Sequence, residues 1–268
     1  MKTLAVTRPV GQGSDTASLI RKRGWSPLIF HTIELEPRPA SLIIHELKEI
    51  ASGGIPDWFV FMSPRGAALF FKTLQSMTGP ASGILERSRI LAVGSNTKES
   101  LRQLGARNVE TPNDYSSEGV AQFLSRTTVR GKRVVLTRSS EANDILEKRL
   151  IVEGALTTTL RLYDSALPAD HRSTSRFLSE LRSGTITATL FTSALSASNL
   201  FKMAGPDFEE PELRRLLGNC LVGAIGPTTL DRLRALGLRE ASMPKRFLIE
   251  DAVSSLIDAA EKNASAPS

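Results

Sequence analysis

The sequence predicts an α/β protein with two doubly wound parallel-sheet lobes, and three observations support this. The segment from Ala92 to Gly105 occurs again from Ala224 to Gly237, which indicates an internal duplication. Buried strand patterns alternate with amphipathic helix patterns in both copies, as is typical of parallel sheets covered by helices. A chain of 268 residues with 41% hydrophobic content can form two ordinary cores.

The first strand of each copy is short, apolar and ends in Thr-Arg. The arginines are Arg8 and Arg138. A helix follows in each copy and ends at a glycine, Gly24 or Gly154, and a second strand comes next. The glycines are separated by the same offset as the arginines, so the order strand, helix, strand is the same in both copies.

An extended, proline-containing stretch follows the second strand of each copy, over residues 33–39 and 162–168. Prolines favour an extended backbone and fit poorly inside a central strand. We therefore expect these stretches to be linkers that pass between the lobes rather than strands of either sheet.

The third strand of each copy leads directly into a helix start. Ser63 is a predicted N-cap with Pro64 at the first helical position, and Ser193 is its counterpart at the offset that relates the two arginines. Both helices thus begin at the carboxyl end of a predicted strand.

The repeated central stretch predicts a fourth strand and helix, with Gly94 answering to Gly226 at a slightly longer offset. Asn96 and Thr228 are the predicted N-caps. Acidic residues three positions later would complete two capping boxes. Those acidic residues are Glu99 and Asp231. The predicted first helical residues are Thr97 and Thr229, whose hydroxyls would lie beside exposed backbone N–H groups.

These strand ends predict an anion site in the cleft between the lobes, because parallel sheets bind ligands beyond the carboxyl ends of their strands. A net charge of +6 suits an acidic ligand, although a mildly basic surface is equally typical of an ordinary soluble protein. Capping alone explains any single Ser, Thr or Asn here, but four helix starts facing one volume would bind several carboxylates or phosphates. The candidate binding residues are Arg8, Ser63, Arg65, Gly94, Asn96, Thr97, Arg138, Ser193, Gly226, Thr228 and Thr229.

Tyr163 is one of only two tyrosines, and its counterpart in the first copy is Ile33. The duplication is therefore broken at this position. A phenol at the mouth of the cleft could donate a proton to a leaving oxygen, and a packed linker aromatic is the equally weighted alternative.

Several function classes have no support in the sequence. The three histidines, His31, His45 and His171, lack metal-ligand spacing, no phosphate-binding glycine motif follows a strand, and the few aromatics form no stacking platform for nucleic acid. The lone Cys220 indicates a reducing compartment, and no apolar run approaches the ~20 residues of a membrane span. We therefore expect a cytoplasmic protein without a metal, a cofactor, a nucleic-acid partner or a membrane partner.

With these motifs in hand, the chain resembles the uroporphyrinogen-III synthase family. The matching motifs run in the family's order over nearly the whole chain. They are Thr-Arg-Pro, Phe-Met-Ser-Pro-Arg-Gly, Ala-Val-Gly-Ser-Asn-Thr, Ser-Ser-Glu-Gly-Val, the Tyr163 segment, Phe-Thr-Ser and Ala-Ile-Gly-Pro-Thr-Thr. One departure is Ser139, where the family often has glycine.

The resemblance implies a two-stranded linker and a second lobe inserted into the first. The first lobe would combine residues 1–34 with 168–263, and the second would span 40–161. The linkers would be 33–39 and 162–168, and we expect the tail 264–268 to be disordered.

The resemblance also implies a lyase that cyclises hydroxymethylbilane to uroporphyrinogen III, with inversion of the last ring and loss of water, without a cofactor. It makes Tyr163 the proton donor and five hydroxyl residues binding positions, whereas Arg8 and Arg138 are candidates from their positions alone. The expected protein is a monomer that receives substrate from hydroxymethylbilane synthase. The alternative is a non-catalytic bilobed sensor or carrier of a small anion, which would not need Tyr163. The hydroxyl residues are Ser63, Thr97, Ser193, Thr228 and Thr229.

Overall fold

The structure, a computed structural model, describes residues 2–140, 142–205 and 208–265. The chain divides into two compact units. Unit 1 comprises Met1–Leu35 and Ala166–Ser268, and unit 2 comprises Glu36–Ser165. Each unit is built around its own sheet.

Strands and helices alternate along most of the chain. The strands are β1 (Thr3–Thr7), β2 (Ser26–Phe30), β3 (Glu34–Pro37), β4 (Trp58–Phe61), β5 (Arg89–Ala92), β6 (Val109–Glu110), β7 (Arg133–Ser139), β8 (Leu156–Ala166), β9 (Ile186–Phe191) and β10 (Leu221–Ala224). The helices are α1 (Ser14–Lys22), α2 (Ala40–Ser52), α3 (Pro64–Gln75), α4 (Ser95–Gln103), α5 (Ser117–Ser125), α6 (Ile145–Val152), α7 (Arg172–Arg182), α8 (Ala194–Ala204), α9 (Glu210–Gly218), α10 (Pro227–Ala235) and α11 (Ile249–Ser265).

The sheet of unit 1 has the strand order β10-β9-β1-β2, with parallel neighbours throughout. Successive side chains of β1 point to opposite faces, so Leu4 and Val6 pack with α1 and α11 while Ala5 packs with α7 to α10. Both faces are therefore covered by helices, as in a doubly wound sheet.

The sheet of unit 2 has the order β3-β8-β7-β4-β5-β6, and the neighbours from β8 to β6 are parallel. In β4, Trp58 and Val60 pack with α5 and α6, whereas Phe59 and Phe61 pack with α2, α3 and α4. The predicted class, an α/β protein with parallel sheets, is confirmed in both units.

Each sheet combines strands from both copies of the duplication. β1 and β2 of the first copy share a sheet with β9 and β10 of the second, where β1 pairs with β9, and β4 and β5 of the first copy share a sheet with β7 and β8 of the second, where β4 pairs with β7. Equivalent strands occupy equivalent places, since β2-β1-β9-β10 in one sheet corresponds to β8-β7-β4-β5 in the other.

The expectation that the proline-containing stretches lie outside both sheets is wrong. β3 covers Glu34–Pro37 and is the edge strand beside β8, which continues to Ala166. Pro37 is tolerated because it ends an edge strand, where it removes no interior ladder hydrogen bond. The boundaries of the two units fall within these same stretches, at residues 35/36 and 165/166.

The predicted disordered tail, 264–268, starts too early. The last helix runs to Ser265. Its apolar residues from Ala252 to Ala260 pack on the unit 1 sheet, and this packing stabilises the helix. Residues 266–268 lie outside the described residues.

Candidate functional site

The carboxyl edge of the unit 2 sheet carries several of the predicted site residues. Because the strands from β8 to β6 are parallel, their carboxyl ends share one edge. Ser63 follows β4, Gly94 follows β5, Arg138 lies near the end of β7, and Tyr163 lies in β8. The fold therefore gathers residues that are far apart in sequence.

Ser63 is the N-cap of α3, as predicted. Its backbone is extended, its Oγ accepts a hydrogen bond from the Gly66 N–H at 3.0 Å, and Pro64 occupies the first helical position. This bond fixes the hydroxyl at the start of the helix. Arg65 is the second helical residue and is half-buried.

Tyr163 contacts Ser63 directly, with 3.1 Å between the phenol oxygen and Oγ. The two residues come from strands separated by β7, about 10 Å apart, so only a long side chain can span the gap. A register shift between Arg138 and Ser139 sets the pairing so that Ser139 faces Tyr163. The half-buried phenol thus lies across the strand ends, held by a hydroxyl whose own position is fixed.

The backbone around Tyr163 is anchored by residues that no sequence motif suggested. The Ser140 N–H donates to the Tyr163 carbonyl at 3.0 Å, and the Ser140 hydroxyl donates to the Asp164 carboxylate. Sequence reasoning missed both Ser140 and Asp164, since the pairing depends on the register between β7 and β8. These bonds fix the backbone that carries the phenol.

Arg138 is buried, with 7% of its surface exposed, and its guanidinium donates to the Asn143 carbonyl at 2.6 Å. Burial lowers the pKa of the Arg138 guanidinium, and the nearby carboxylates of Glu147 and Asp144 offset part of that shift. An arginine stays protonated at neutral pH, so this position holds a partly desolvated positive charge one residue before Ser139, which pairs with Tyr163.

The start of α4 differs from the prediction. The N-cap is Gly94, with φ 99°, and no side chain caps the helix, so Asn96 and Thr97 are the second and third helical residues. The predicted cap at Asn96 with its capping-box residue Glu99 is wrong, because glycine adopts the left-handed φ from which the helix begins before Asn96 is reached. Thr97 is 2% exposed and its hydroxyl donates to the Val93 carbonyl at 2.9 Å.

In unit 1, Ser193 caps α8 as predicted. Its Oγ accepts from the Ser196 N–H at 3.0 Å, and the Ser196 hydroxyl completes a capping box that was not predicted. The hydroxyl of Ser196 also lies 3.1 Å from that of Thr7, which in turn accepts from the Thr192 N–H at 2.9 Å. At these strand ends, Thr7, Ser193 and Ser196 therefore form a hydrogen-bonded hydroxyl cluster.

Arg8 follows β1 in unit 1 and is half-buried, with its Nη2 donating to Gln12 at 3.4 Å. Its Nε is buried and has no hydrogen-bond partner among the residues that the structure describes. Desolvation lowers the pKa of the Arg8 guanidinium, and the charge of Asp15 offsets part of the shift. The arginine therefore keeps unused hydrogen-bonding capacity.

The start of α10 repeats the correction made for α4. Gly226 is the N-cap, no side chain caps the helix, and Pro227 is its first residue. The predicted cap at Thr228 with its partner Asp231 is therefore wrong, because a proline is preferred at the first helical position and moves the start forward. Thr228 is exposed at the second position and Thr229 is buried at the third.

Two further features concern ligands and membranes. Over the described ranges, no group of three or more His, Cys, Asp or Glu side chains is arranged to hold a metal ion. Within the same ranges, no helix combines the length and the apolarity that crossing a bilayer requires.

Comparisons with known proteins agree with the motif order. The family model described as "Uroporphyrinogen-III synthase HemD" matches residues 14–254. A Methanothermobacter thermautotrophicus protein provisionally named as a uroporphyrinogen-III synthase is 29% identical over 254 residues, covering 94% of this chain and 96% of that protein. The uroporphyrinogen-III synthase of Chlorobaculum parvum is 25% identical, covering 92% and 94%.

Solved structures show that the fold is shared. A mutant uroporphyrinogen III synthase from the extremely thermophilic bacterium Thermus thermophilus is similar with a TM-score of 0.64 and 20% identity, covering 98% of this chain and all of that one. The family match extends from α1 into α11 and includes Ser63 and Tyr163. Together with the motif order, it establishes that the chain belongs to the uroporphyrinogen-III synthase family.

Proposed function

We propose that this protein converts hydroxymethylbilane, a linear tetrapyrrole with eight side-chain carboxylates, to uroporphyrinogen III, as a hydro-lyase of tetrapyrrole biosynthesis. The observation that carries the proposal is the hydrogen bond between Tyr163 and Ser63 at the carboxyl edge of a parallel sheet. This is the edge at which such sheets bind ligands. Membership of the family supplies the substrate class.

Tyr163 is the proposed proton donor. As the carbon–oxygen bond of the terminal hydroxymethyl group breaks, the phenol proton passes to the departing oxygen, which leaves as water. The electrons of the broken bond leave with that oxygen, so an azafulvene cation remains. Ser63 keeps the phenol oriented, and the positive charge of Arg138, next to the residue of β7 that pairs with Tyr163, is proposed to stabilise the phenolate formed in this step.

Ring closure then follows from the reactivity of the substrate. A substituted carbon of the last pyrrole attacks the cation and gives a spiro intermediate, which reopens and recloses with that ring inverted. Loss of one ring proton restores the pyrrole and can return the proton to Tyr163. The products are uroporphyrinogen III and one water, with no change in oxidation state, so the chemistry requires no redox cofactor.

The remaining candidate residues are proposed to bind the carboxylate arms. Helix starts present backbone N–H groups toward an anion, and Arg8 offers a buried Nε without a partner among the described residues. Thr97 and Thr229 are buried, so any contact they make with substrate is proposed to involve the backbone rather than the hydroxyl. The proposed carboxylate-binding positions are Arg8, Ser63, Arg65, Gly94, Asn96, Thr97, Arg138, Ser193, Gly226, Thr228 and Thr229.

The compartment, the oligomeric state and the protein that supplies the substrate remain predictions. We propose a monomer that receives substrate from hydroxymethylbilane synthase, and we propose that it is cytoplasmic, which the single cysteine, Cys220, supports as a sign of a reducing compartment. The alternative of a non-catalytic sensor or carrier for a small anion is not favoured by the family match. A carrier would also have no use for the contact between Tyr163 and Ser63.

The deciding experiment is to incubate the purified protein with freshly generated hydroxymethylbilane, oxidise the products and separate the isomers. Without an enzyme the bilane closes to the type I isomer. We expect the type III isomer to dominate with the protein present. An isomer ratio equal to that of the protein-free control would exclude the synthase and favour the anion carrier.

A further inference from the structure

Two exposed aromatic side chains, Tyr115 and Phe247, occupy equivalent positions in the duplicated chain. They are separated along the chain by the same offset that relates Gly94 to Gly226. Tyr115 is 50% exposed and Phe247 is 54% exposed, and no other aromatic is prominently exposed among the described residues. A single exposed apolar residue is ordinary, but the same exposure at both equivalent positions calls for a shared function.

Each ring lies against the glycine that begins a helix at the carboxyl edge of its own sheet. A Cβ added to Gly94 would be 3.8 Å from the Tyr115 ring, and a Cβ added to Gly226 would be 3.4 Å from the Phe247 ring. The two glycines follow β5 and β10, which are equivalent strands in the two sheets. Each ring thus stands beside a strand end of the kind that binds ligands in parallel sheets.

The segments that carry the rings are held in place. Beside Tyr115, the Ser116 hydroxyl donates to the Asp114 carboxylate at 2.7 Å and accepts from the Gly119 N–H at 3.1 Å. Gly119 is needed there, since an added Cβ would overlap the Asp114 carbonyl oxygen. Tyr115 therefore lies in a turn whose backbone is fixed by these hydrogen bonds.

Phe247 has an equivalent anchor of different chemistry. The neighbouring Arg246 forms an ion pair with Asp251 of α11 at 2.8 Å. The preceding Ser242 bridges to Gly223 of β10, so the segment follows the sheet edge as the Tyr115 segment follows β6. Different contacts thus fix the same ring position in the two copies.

We infer that Tyr115 and Phe247 are substrate-positioning residues that each stack against a pyrrole ring of the linear tetrapyrrole. This inference rests on the proposed function. Aromatic pairs prefer offset-stacked or edge-to-face contact, and a pyrrole offers a flat π face that an exposed ring can cover. Hydrogen bonds and charges hold the carboxylate arms, but they do not order the rings themselves. A flexible chain of four rings needs that order before it closes with one ring inverted.

The test measures KM and kcat for hydroxymethylbilane with the variants Tyr115→Ala and Phe247→Ala. We expect each to raise KM about tenfold, because ring stacking is made on binding, while kcat falls less than KM rises. The variants Tyr115→Phe and Phe247→Tyr keep the ring and should restore KM to within about twofold of the wild type. Val152→Ala, which removes an apolar side chain that is 83% exposed on α6, is the matched control and should leave KM unchanged.

The outcomes separate this inference from the function on which it rests. If the wild type forms the type III isomer and both alanine variants keep the KM of the Val152→Ala control, the stacking role is wrong and the synthase stands. A Tyr115→Phe variant as impaired as Tyr115→Ala would also overturn it, because the hydroxyl rather than the ring would then be the contact. A wild type that yields only the protein-free isomer ratio refutes both proposals.

Discussion

The helix starts at Ser63 in unit 2 and Ser193 in unit 1 show how one of two similarly built units acquires chemistry. Both serines are extended N-caps that accept from the N–H three residues on at 3.0 Å. In unit 1 that third residue is Ser196, whose hydroxyl closes a cluster with Thr7. In unit 2 it is Gly66, and the hydroxyl of Ser63 contacts a phenol instead.

Three substitutions account for the difference. Relative to unit 1, unit 2 has Gly66 at the position of Ser196, Met62 at that of Thr192, and Tyr163 at that of Ile33. The first two remove the hydroxyls that in unit 1 bond to the Ser193 backbone and to the Thr7 carbonyl, and the third brings in the proposed proton donor. The scaffold is shared, so the proposed reaction depends on the residues at which the copies differ.

The strongest test of this comparison removes the phenol hydroxyl. We expect Tyr163→Phe to lower kcat by about 10² to 10⁴-fold, the usual contribution of general acid catalysis, with a smaller change in KM. Initial rates of type III formation give both constants. Thr158→Val, which removes an exposed hydroxyl from the same strand, should leave kcat unchanged. Wild-type turnover by Tyr163→Phe would return the tyrosine to a packing role.

Exchanging the third helical residue between copies should separate stability from activity. Ser196→Gly deletes a buried hydroxyl that bonds to Ser193 and Thr7, and we expect a loss of about 2 kcal/mol in the free energy of unfolding. In Gly66→Ser, the new Cβ would lie 3.1 Å from Ser63 Oγ, so Ser63 must shift. We expect kcat to fall about tenfold, since the phenol loses its oriented partner.

Urea unfolding and initial rates measure the two effects. If Gly66→Ser keeps wild-type kcat, the orientation of Tyr163 does not depend on Ser63. If Ser196→Gly is as stable as the wild type, the hydroxyl cluster of unit 1 contributes nothing, and the contrast between the copies loses its energetic basis.

The glycine N-caps provide a smaller contrast. Gly94 has φ 99°, in the left-handed region, whereas Gly226 is extended with φ −171°. We expect Gly94→Ala to lower the free energy of unfolding by about 1 to 2 kcal/mol and Gly226→Ala to change it by less than about 0.5 kcal/mol. The second variant need only accommodate the Phe247 ring at 3.4 Å.

The two tryptophans make that measurement specific to each unit. Trp25 lies in unit 1 and Trp58 in unit 2, and both are buried. Gly94→Ala is followed by Trp58 fluorescence in a Trp25→Phe background, and Gly226→Ala by Trp25 fluorescence in a Trp58→Phe background. Equal losses in both variants would show that the difference in φ has no energetic consequence.

Much of the fold could be predicted from the sequence because the repeat compares the chain with itself. The nearly constant offset located equivalent strand ends, and Ser63 and Ser193 were found as caps because serine follows an apolar strand in both copies. The strand character of 34–37 was missed because proline suggested a linker, although the end of an edge strand tolerates it.

The candidate site was less predictable because it depends on distant pairings. Tyr163 could be singled out by its mismatch with Ile33, but its contact with Ser63 requires the order β8-β7-β4 and the register shift in β7. Tyr115 and Phe247 were detectable in principle, since the offset between Gly94 and Gly226 also relates them, but only the structure shows that both rings are exposed.

The smallest expected effects test where the helices begin. Read from sequence alone, Asn96 and Thr228 are N-caps equivalent to Ser193, and replacing any of the three with alanine would cost about 1 kcal/mol. In the structure only Ser193 caps a helix, while Asn96 and Thr228 are exposed at the second helical position. We therefore expect Ser193→Ala to lower the free energy of unfolding by about 1 kcal/mol, and Asn96→Ala and Thr228→Ala to change it by less than about 0.5 kcal/mol. The same single-tryptophan backgrounds report these changes. If Thr228→Ala lowers the free energy of unfolding as much as Ser193→Ala does, Thr228 rather than Gly226 is the N-cap of α10.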